Sequence, residues 1–558
     1  MARDDGDELV FLPLGGVGEI GMNFALYGFG PPDDREWIIA DCGVTFPGPD
    51  LPGVDLVFPD IRFIEAERHS LRGMVITHAH EDHYGAILDL WPKLRCPVYM
   101  TPFTAGLLEA KKQSENKSSM QIPTTIYKAG DRFQVGPFGI EAIAVTHSIP
   151  EPVSLAITTP LGTVIHTGDW KIDPEPSIGP HIDKNRFLEL GAEGVLALIC
   201  DSTNAMREGE SPSEEDVGRS LRAIIEKEKG RVAITTFSSN VGRIRSVAEA
   251  ARDAGRKVLV LGRSMKRVID VASELGYLDG LPRFLEEEDF SYTPRGECVI
   301  LCTGSQGESR AALSKLARDE MRSVSLDAGD TVIYSSRMIP GNEKPILEVM
   351  NQLVEQGVKI ITDDDQLVHV SGHPRRSELK QMYEWVKPQI SVPVHGEAAH
   401  LVAHNSLAAT IGVPQAASVR NGDMLRLAPG PAEIIDQAPH GRMFKDGDLI
   451  GSYEDVGIGE RRKLSFAGHV AVSIVLDEKY NLASDPELDA FGVPLHNAVG
   501  DTMEDIFYDA AVGAVESIPR ARRKDAELVR EAVRRAVRSA ARDAWGKKPV
   551  ATVFVTML

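Results

Sequence analysis

No run of about twenty apolar residues interrupts the 558 residues of this sequence, so no helical membrane span is expected. The acidic opening, Met-Ala-Arg-Asp-Asp-Gly-Asp-Glu, passes straight into the strand-like residues 9–12 without the apolar stretch of a secretory signal. Cysteine is scarce. The five present (Cys42, Cys96, Cys200, Cys298, Cys302) are odd in number and sit in apolar surroundings, which excludes a disulfide framework and fits reduced thiols in the cytoplasm. Cys298 and Cys302 lie in one apolar run, where a core strand is the better reading than half of a zinc site. Internal repeats and low-complexity tracts are absent. Positive charge is in deficit: a net charge of −21 argues against broad nonspecific attraction to polyanions and leaves a local basic groove as the route to nucleic acid.

The length is too great for one core and suggests roughly three to four units. Residues 9–170 alternate short β-branched runs with Gly, Pro and Asp turns, the texture of a sheet-rich α/β domain. From 213 to 372, strands such as 231–236, 257–261, 298–302 and 331–335 alternate with helical stretches, which implies βαβ units and a parallel sheet. Residues 373–440 read as strand-rich again. A last unit from about 465 offers the strand 469–476, a helix over 524–545 and a closing strand 549–555. That helix carries Arg530, Arg534, Arg538 and Arg542 four apart opposite an apolar stripe, a packed helix with a solvated basic face. The expected division is 1–210 and 373–445 for one split domain, 211–372 for an insertion, 446–464 for a linker and 465–558 for a C-terminal α+β domain.

Gly16-Val17-Gly18-Glu19-Ile20-Gly21 follows a strand and precedes Asp41 by twenty residues, matching a dinucleotide fingerprint. That fingerprint requires a helix next, yet residues 22–30 are aromatic, glycine-broken and strand-like. A glycine turn between two strands accounts for them.

The strongest signal is His78-Ala79-His80-Glu81-Asp82-His83. Residues 74–77 read as a buried strand. At its end alternate side chains share a side, so His78 and His80 converge, with Asp82 and His83 beside them in an opening helix turn. Three further candidates each end a strand-like run: His147, Asp169 and His395. Imidazoles and carboxylates without a thiol suit Zn²⁺ or Mn²⁺ rather than a structural zinc knot.

This motif resembles the metallo-β-lactamase fold in its dinuclear hydrolase form. The resemblance implies an αββα sandwich in which His78, His80 and His147 hold one metal, Asp82, His83 and His395 hold the other, Asp169 bridges, and Asp41 orients a ligand. Two such cations would activate a water and clamp a scissile phosphate, with Asp82 counted among the catalytic groups. The long α/β insertion resembles the β-CASP domain of nucleic-acid-processing members, and three motifs support this: Asp201 in Leu198-Ile199-Cys200-Asp201-Ser202-Thr203, His373 in Ser371-Gly372-His373, and His395 in Pro393-Val394-His395-Gly396-Glu397. A His rather than a Val at the third favours RNA over the DNA-repair branch. By this resemblance His373 would serve as general acid, oriented by Asp201.

The opening 15–23, the turn Thr235-Thr236-Phe237-Ser238-Ser239-Asn240, the stretch His369-Val370-Ser371-Gly372-His373-Pro374 and the extra C-terminal domain look like the ribonuclease J family. That implies 5′ to 3′ exoribonuclease and endonuclease activity in RNA maturation and decay. Its substrate would be single-stranded RNA with a 5′-monophosphate, seated on Ser238, Ser239, Asn240, His369, Val370, Ser371, Gly372 and His373. For the Ser-Ser-Asn turn, an ordinary helix cap is the competing reading. The family also implies a structural calcium at Gly48, Asp50 and Asp446, dimers or tetramers through the C-terminal domain, and membership of an RNA-degradation complex. The alternatives are a β-CASP DNA-repair nuclease and a catalytically silent RNA-binding subunit; the latter loses metal ligands, and all seven are present here.

Overall fold

The computed structural model describes residues 6–339 and 341–558; the first five residues of the acidic opening lie outside them. Two compact units emerge, one of residues 1–45 and 58–441, the other of residues 46–57 and 442–558.

The first unit is built on two sheets. An eight-stranded sheet runs in the order Glu433–Gln437, Asp423–Ala428, Glu8–Gly15, Phe24–Gly30, Glu36–Ala40, Leu71–Val75, Val98–Met100, Thr124–Ile126. A seven-stranded sheet runs Gln415–Ala416, Ile390–Val394, Ala197–Asp201, Gly162–His166, Val153–Thr159, Phe138–Ala144, Arg132–Val135. Alternation of apolar side chains turns one row from each sheet inward, and Phe11, Tyr27 and Val75 of the first meet Ile140, Leu155 and Val392 of the second in one core. The outer face of the second sheet is covered by the helices Lys184–Glu193, Arg376–Val386 and Ala398–Thr410 through Phe187, Leu190, Met382, Trp385 and Leu407. This is the expected αββα sandwich.

Between Asp201 and Ile390 the chain inserts a five-stranded, all-parallel sheet in the order Lys257–Leu261, Cys298–Cys302, Val232–Thr235, Thr331–Tyr334, Lys359–Ile361. Strands buried on both faces read as continuous apolar runs, and Cys298–Cys302 is one of them, buried at every residue. All five cysteines are free and buried. The glycine segment after Glu8–Gly15 leads into the antiparallel strand Phe24–Gly30, so no helix opens there and the dinucleotide pattern is coincidental.

Two stretches differ from expectation. Residues 373–440 carry two helices, Arg376–Val386 and Ala398–Thr410, because Leu379, Met382, Tyr383 and Val386 form a stripe at helical spacing that buries against the sheet. Residues 446–464 are no bare linker: Arg442–Asp446 and Leu449–Gly451 form a hairpin, and the helix Ile458–Ala467 follows. The second unit then orders the strands Glu487–Phe491, His469–Leu476 and Val550–Met557 in one sheet, with Val470, Val472, Ile474 and Leu476 packed on the helices Met503–Ser517 and Ala526–Trp545. Along the last helix Arg530 and Arg534 pair with Glu527 and Glu531, a solvated face.

Inside the insertion, Arg243 is fully buried and its guanidinium lies 2.7 Å from Glu214; burial works against ionisation of that carboxyl, but the Arg243 cation outweighs it and lowers its pKa. Arg243 also donates to the carbonyl of Val368 at 3.0 Å, so one side chain ties two helices to the segment that leads into His369. Arg243→Ala strands a buried carboxylate and is expected to cost about 3–5 kcal/mol, read as a lower urea midpoint. The pair Arg243→Met with Glu214→Leu should recover most of it.

Candidate metal centre

The strand Leu71–Val75 delivers His78 at its end, and a helical turn, Glu81–Tyr84, begins with His80 as its N-cap. His147 follows Phe138–Ala144, Asp169 follows Gly162–His166, and His395 follows Ile390–Val394. All these strand ends open on the same edge of the sandwich. The ligand atoms of His78, His80, His147 and Asp169 lie within 4.8 Å of one another, as do those of Asp82, His83, Asp169 and His395. Asp169 belongs to both groups. The His78 and His147 Nε2 atoms are 3.1 and 3.0 Å from His80 Nδ1. The His83 Nε2 lies 3.2 Å from one Asp169 oxygen, and the His395 Nε2 lies 3.5 Å from the other.

Four of the five rings have a proton assigned by what stands behind them, while the Ser239 hydroxyl behind His80 can donate or accept. His147 Nδ1 donates to the carbonyl of Gly372 at 2.7 Å, and His395 Nδ1 to Asn23 Oδ1 at 2.9 Å. His83 Nδ1 donates to Asp41 Oδ2 at 2.7 Å. Thr77 Oγ1 donates to Asp41 Oδ2 at 2.9 Å and so accepts from His78 Nδ1, also at 2.9 Å. His80 reverses its ring and sets Nε2 3.1 Å from Ser239 Oγ. With a cation between them, five imidazoles would keep N–H outward and lone pairs inward, around a carboxylate.

Such convergence repels unless a cation lies between. Burial, then the neighbouring imidazoles, drives the pKa of His78 and His147 well below the ordinary value, and burial takes His80 down to about 4, so these rings stay neutral, each with one unprotonated nitrogen. Burial works against ionisation of Asp169, but protonated His395 and His83 hold it well below the usual carboxylate range; burial likewise opposes a charge on His83, yet Asp169, Asp82 and Asp41 raise its pKa well above the ordinary value, so a cation would take the place of the proton at its Nε2. Asp169 Oδ1 and His395 Nε2 are buried with no hydrogen-bond partner. Orphaned basic atoms in a closed polar volume are what a divalent cation satisfies, and the oxygen and nitrogen donors fit one.

Beside this volume, His373 Nδ1 lies 2.8 Å from Asp201 Oδ2. Asp201 is fully buried, while the His373 side chain keeps 19% exposure, enough for a substrate to reach it.

Four family models match: the beta-lactamase superfamily domain over residues 36–188, the ribonuclease J beta-CASP domain over 229–353, the Zn-dependent metallo-hydrolase RNA specificity domain over 357–416 and the ribonuclease J C-terminal domain over 456–558. Ribonuclease J of Sinorhizobium meliloti is 65% identical over 100% of this chain and 98% of its own. The chain belongs to the ribonuclease J family. Ribonuclease J of Mycolicibacterium smegmatis is 40% identical over 83% of this chain and 82% of its own. A crystal structure of a protein of unknown function from Enterococcus faecalis aligns with 75% of this chain and 100% of its own at a TM-score of 0.53 and 14% identity, a likeness of fold.

Within the family frame, the residues named for a 5′-phosphate divide. Ser239 reaches His80, and the backbone of Gly372 reaches His147. A Cβ on Gly372 would stand 2.5 Å from the His147 ring, so only glycine allows that approach. Asn240 caps the helix Val241–Asp253 by accepting from Arg243 N at 2.9 Å, and Ser371 Oγ accepts from Asn204 Nδ2 at 2.9 Å. Ser238 is half-buried, Val370 is buried, and His369 Nδ1 is buried without a partner. The calcium candidates fall in the second unit. Asp446 there is ion-paired with Arg461, so oxygen ligation by it would first have to break that pair, while Gly48 and Asp50 lie side by side.

Residue reasoning assigned nothing to Asn23. Its side chain donates to the Asp82 carbonyl at 3.0 Å while accepting from His395, so it holds one ligand from each end of the second group. Asn204 is the other omission, donating to the His373 carbonyl at 3.1 Å. Gly43 packs so closely that a Cβ would lie 1.7 Å from the Asp82 carbonyl oxygen. Asn23→Ala is expected to weaken one of two metal equivalents by about 10–100-fold, as loss of an outer partner does elsewhere. Competition against a chelating dye measures this.

Proposed function

We propose that the chain, a metal-dependent ribonuclease by family, is a 5′ to 3′ exoribonuclease with endonuclease activity that uses two divalent cations, Zn²⁺ or Mn²⁺, on single-stranded RNA bearing a 5′-monophosphate. The observation that carries it is the convergence of five imidazoles on Asp169, with His78, His80 and His147 on one side and Asp82, His83 and His395 on the other. His78, His80 and His147 with Asp169, and Asp82, His83 and His395 with Asp169, would hold the cations, which would supply a water activated near neutral pH and positive charge for the scissile phosphate.

The chain's own residues supply the rest. Burial lowers the His373 pKa, but in the metal-free chain Asp201 and Asp169 outweigh it and raise the value to about 9, so the ring holds a proton there that bound cations would make easier to release. Its Nδ1–H is spent on Asp201, which leaves Nε2 to hand a proton to the departing 3′ oxygen. Asp201 fixes the ring, and Asn204 fixes its backbone. Ser239 and the segment 369–373 border the same volume, and their hydroxyl and backbone N–H groups suit a terminal phosphate. A chain that keeps all seven ligands does not fit the silent-subunit alternative, and His395 does not fit the DNA-repair one.

On the open face of the second unit's sheet, opposite the helices, Phe491, Val550 and Phe554 are exposed in register, which supports dimers or tetramers through that unit. Among the described residues no helix is long and apolar enough to cross a membrane.

Monophosphorylated RNA labelled at its 5′ end should release labelled mononucleotide first in Mn²⁺ or Zn²⁺, and a chelator should stop it. Inactivity with both metals, or strict preference for DNA, would overturn the reading. His373→Ala should lower kcat by about 10²–10⁴-fold while leaving metal content at two per chain.

A further inference from the structure

Tyr27 and His166 take no part in ligation, yet both are buried inside the sandwich and face Asp41. Tyr27 belongs to the strand Phe24–Gly30, and Asp41 follows Glu36–Ala40 in the same sheet. His166 ends Gly162–His166 in the opposite sheet, three residues before Asp169. Tyr27 Oη lies 2.9 Å from His166 Nδ1, and His166 Nε2 lies 3.9 Å from Asp41 Oδ2.

Two proton assignments are open to this line. If Tyr27 accepts, the ring's Nδ1 carries the hydrogen and the Nε2 lone pair faces a carboxylate, two lone pairs opposed in a buried volume. If Tyr27 donates, Nε2 carries the hydrogen and aims it at Asp41, and every dipole in the line points the same way. The second is favoured. At 3.9 Å the contact is electrostatic rather than a hydrogen bond.

Asp41 has much to hold. It accepts Thr77 N at 2.7 Å on one oxygen, and Thr77 Oγ1 and His83 Nδ1 on the other, while its own backbone sits at φ +64°, a region that disfavours a side chain. A fully buried carboxylate in that position needs opposing dipoles on every side to stay charged and unrotated. Only while it does so is the His83 proton kept away from the ligand side.

We propose that His166, held by Tyr27, is a positioning residue of the metal centre that acts through Asp41 on His83. It joins the sheet that carries Asp169 to the carboxylate that orients the opposing ligand. This rests on the two-cation reading, and its effect falls mainly on the group of Asp82, His83, Asp169 and His395.

The test is Zn²⁺ titration of the metal-free full chain against a chelating dye, with folding followed by circular dichroism. Wild type should take up two equivalents. His166→Leu, which fills the space without an N–H, should keep one equivalent as in wild type and bind the other about 10–100-fold more weakly. His166→Gln places an amide N–H near the Nε2 position and should stay close to wild type; Tyr27→Phe should weaken the same equivalent by less than His166→Leu. Two intact equivalents in His166→Leu, or equal weakening in His166→Leu and His166→Gln, overturns the proposal and leaves the two-cation reading standing. If His166→Leu does not fold, unchanged binding in Tyr27→Phe overturns it instead. Fewer than two equivalents in wild type removes the two-cation reading, and this inference with it.

Discussion

Five imidazoles occupy one small volume only because each N–H is taken by a fixed acceptor behind the ring. Asp41, Asn23, Thr77, Ser239 and the carbonyl of Gly372 fill that outer shell, and each stands on a different element. A ring released from its acceptor could turn its N–H inward, where it would satisfy Asp169 and compete with a cation for the same electrons. Ligand identity alone therefore does not make this centre. The sandwich around it serves to hold the acceptors still, and the cost of gathering so many lone pairs is carried by the folding of the whole unit.

The backbone shows where that cost is concentrated. Asp41 at φ +64° and His395 at φ +52° adopt a region that glycine prefers, both directly at strand ends that face the centre. His395 is further pinned because its N–H donates to the Gly16 carbonyl at 2.7 Å. The segment 42–44 runs beside the ligand turn, with Cys42 N donating to the His83 carbonyl at 2.6 Å and Val44 N to that of Glu81 at 3.0 Å. The absence of a side chain at Gly43 is what permits that spacing. Strain at these two corners is tolerated because neighbouring hydrogen bonds over-determine them.

How much of this was legible in the sequence follows from the range of each interaction. His78, His147, Asp169 and His395 could be found because each ends a short apolar run, and strand periodicity is a local signal. His80, Asp82 and His83 came with the compact motif. Asn23 could not be found this way, since its bond to His395 spans 372 residues and its own neighbourhood is an ordinary glycine turn. The same holds for Asn204, whose contacts lie 167 and 169 residues away. The helices Arg376–Val386 and Ala398–Thr410 were obscured because the apolar run Ile390–Val394 between them is a strong strand signal. Residues 446–464 carry too few apolar residues to announce a hairpin and a helix.

The insertion explains why a metal centre of this kind belongs to a polymer-processing chain. A small ester would need only the strand ends of the sandwich. Here the turn after Val232–Thr235 places Ser239 on His80, and the return from the insertion places Gly372 on His147 and His373 on Asp201. The inserted unit therefore supplies two of the hydrogen-bond partners behind the five rings, Ser239 and the Gly372 carbonyl, and leads directly into His373. Arg243, buried between its helices and bonded to the Val368 carbonyl, transmits the position of the inserted sheet to that return segment. Ser239 and the backbone of residues 369–373 are thus held at a fixed distance from the five imidazoles by the same few bonds that orient His80 and His147.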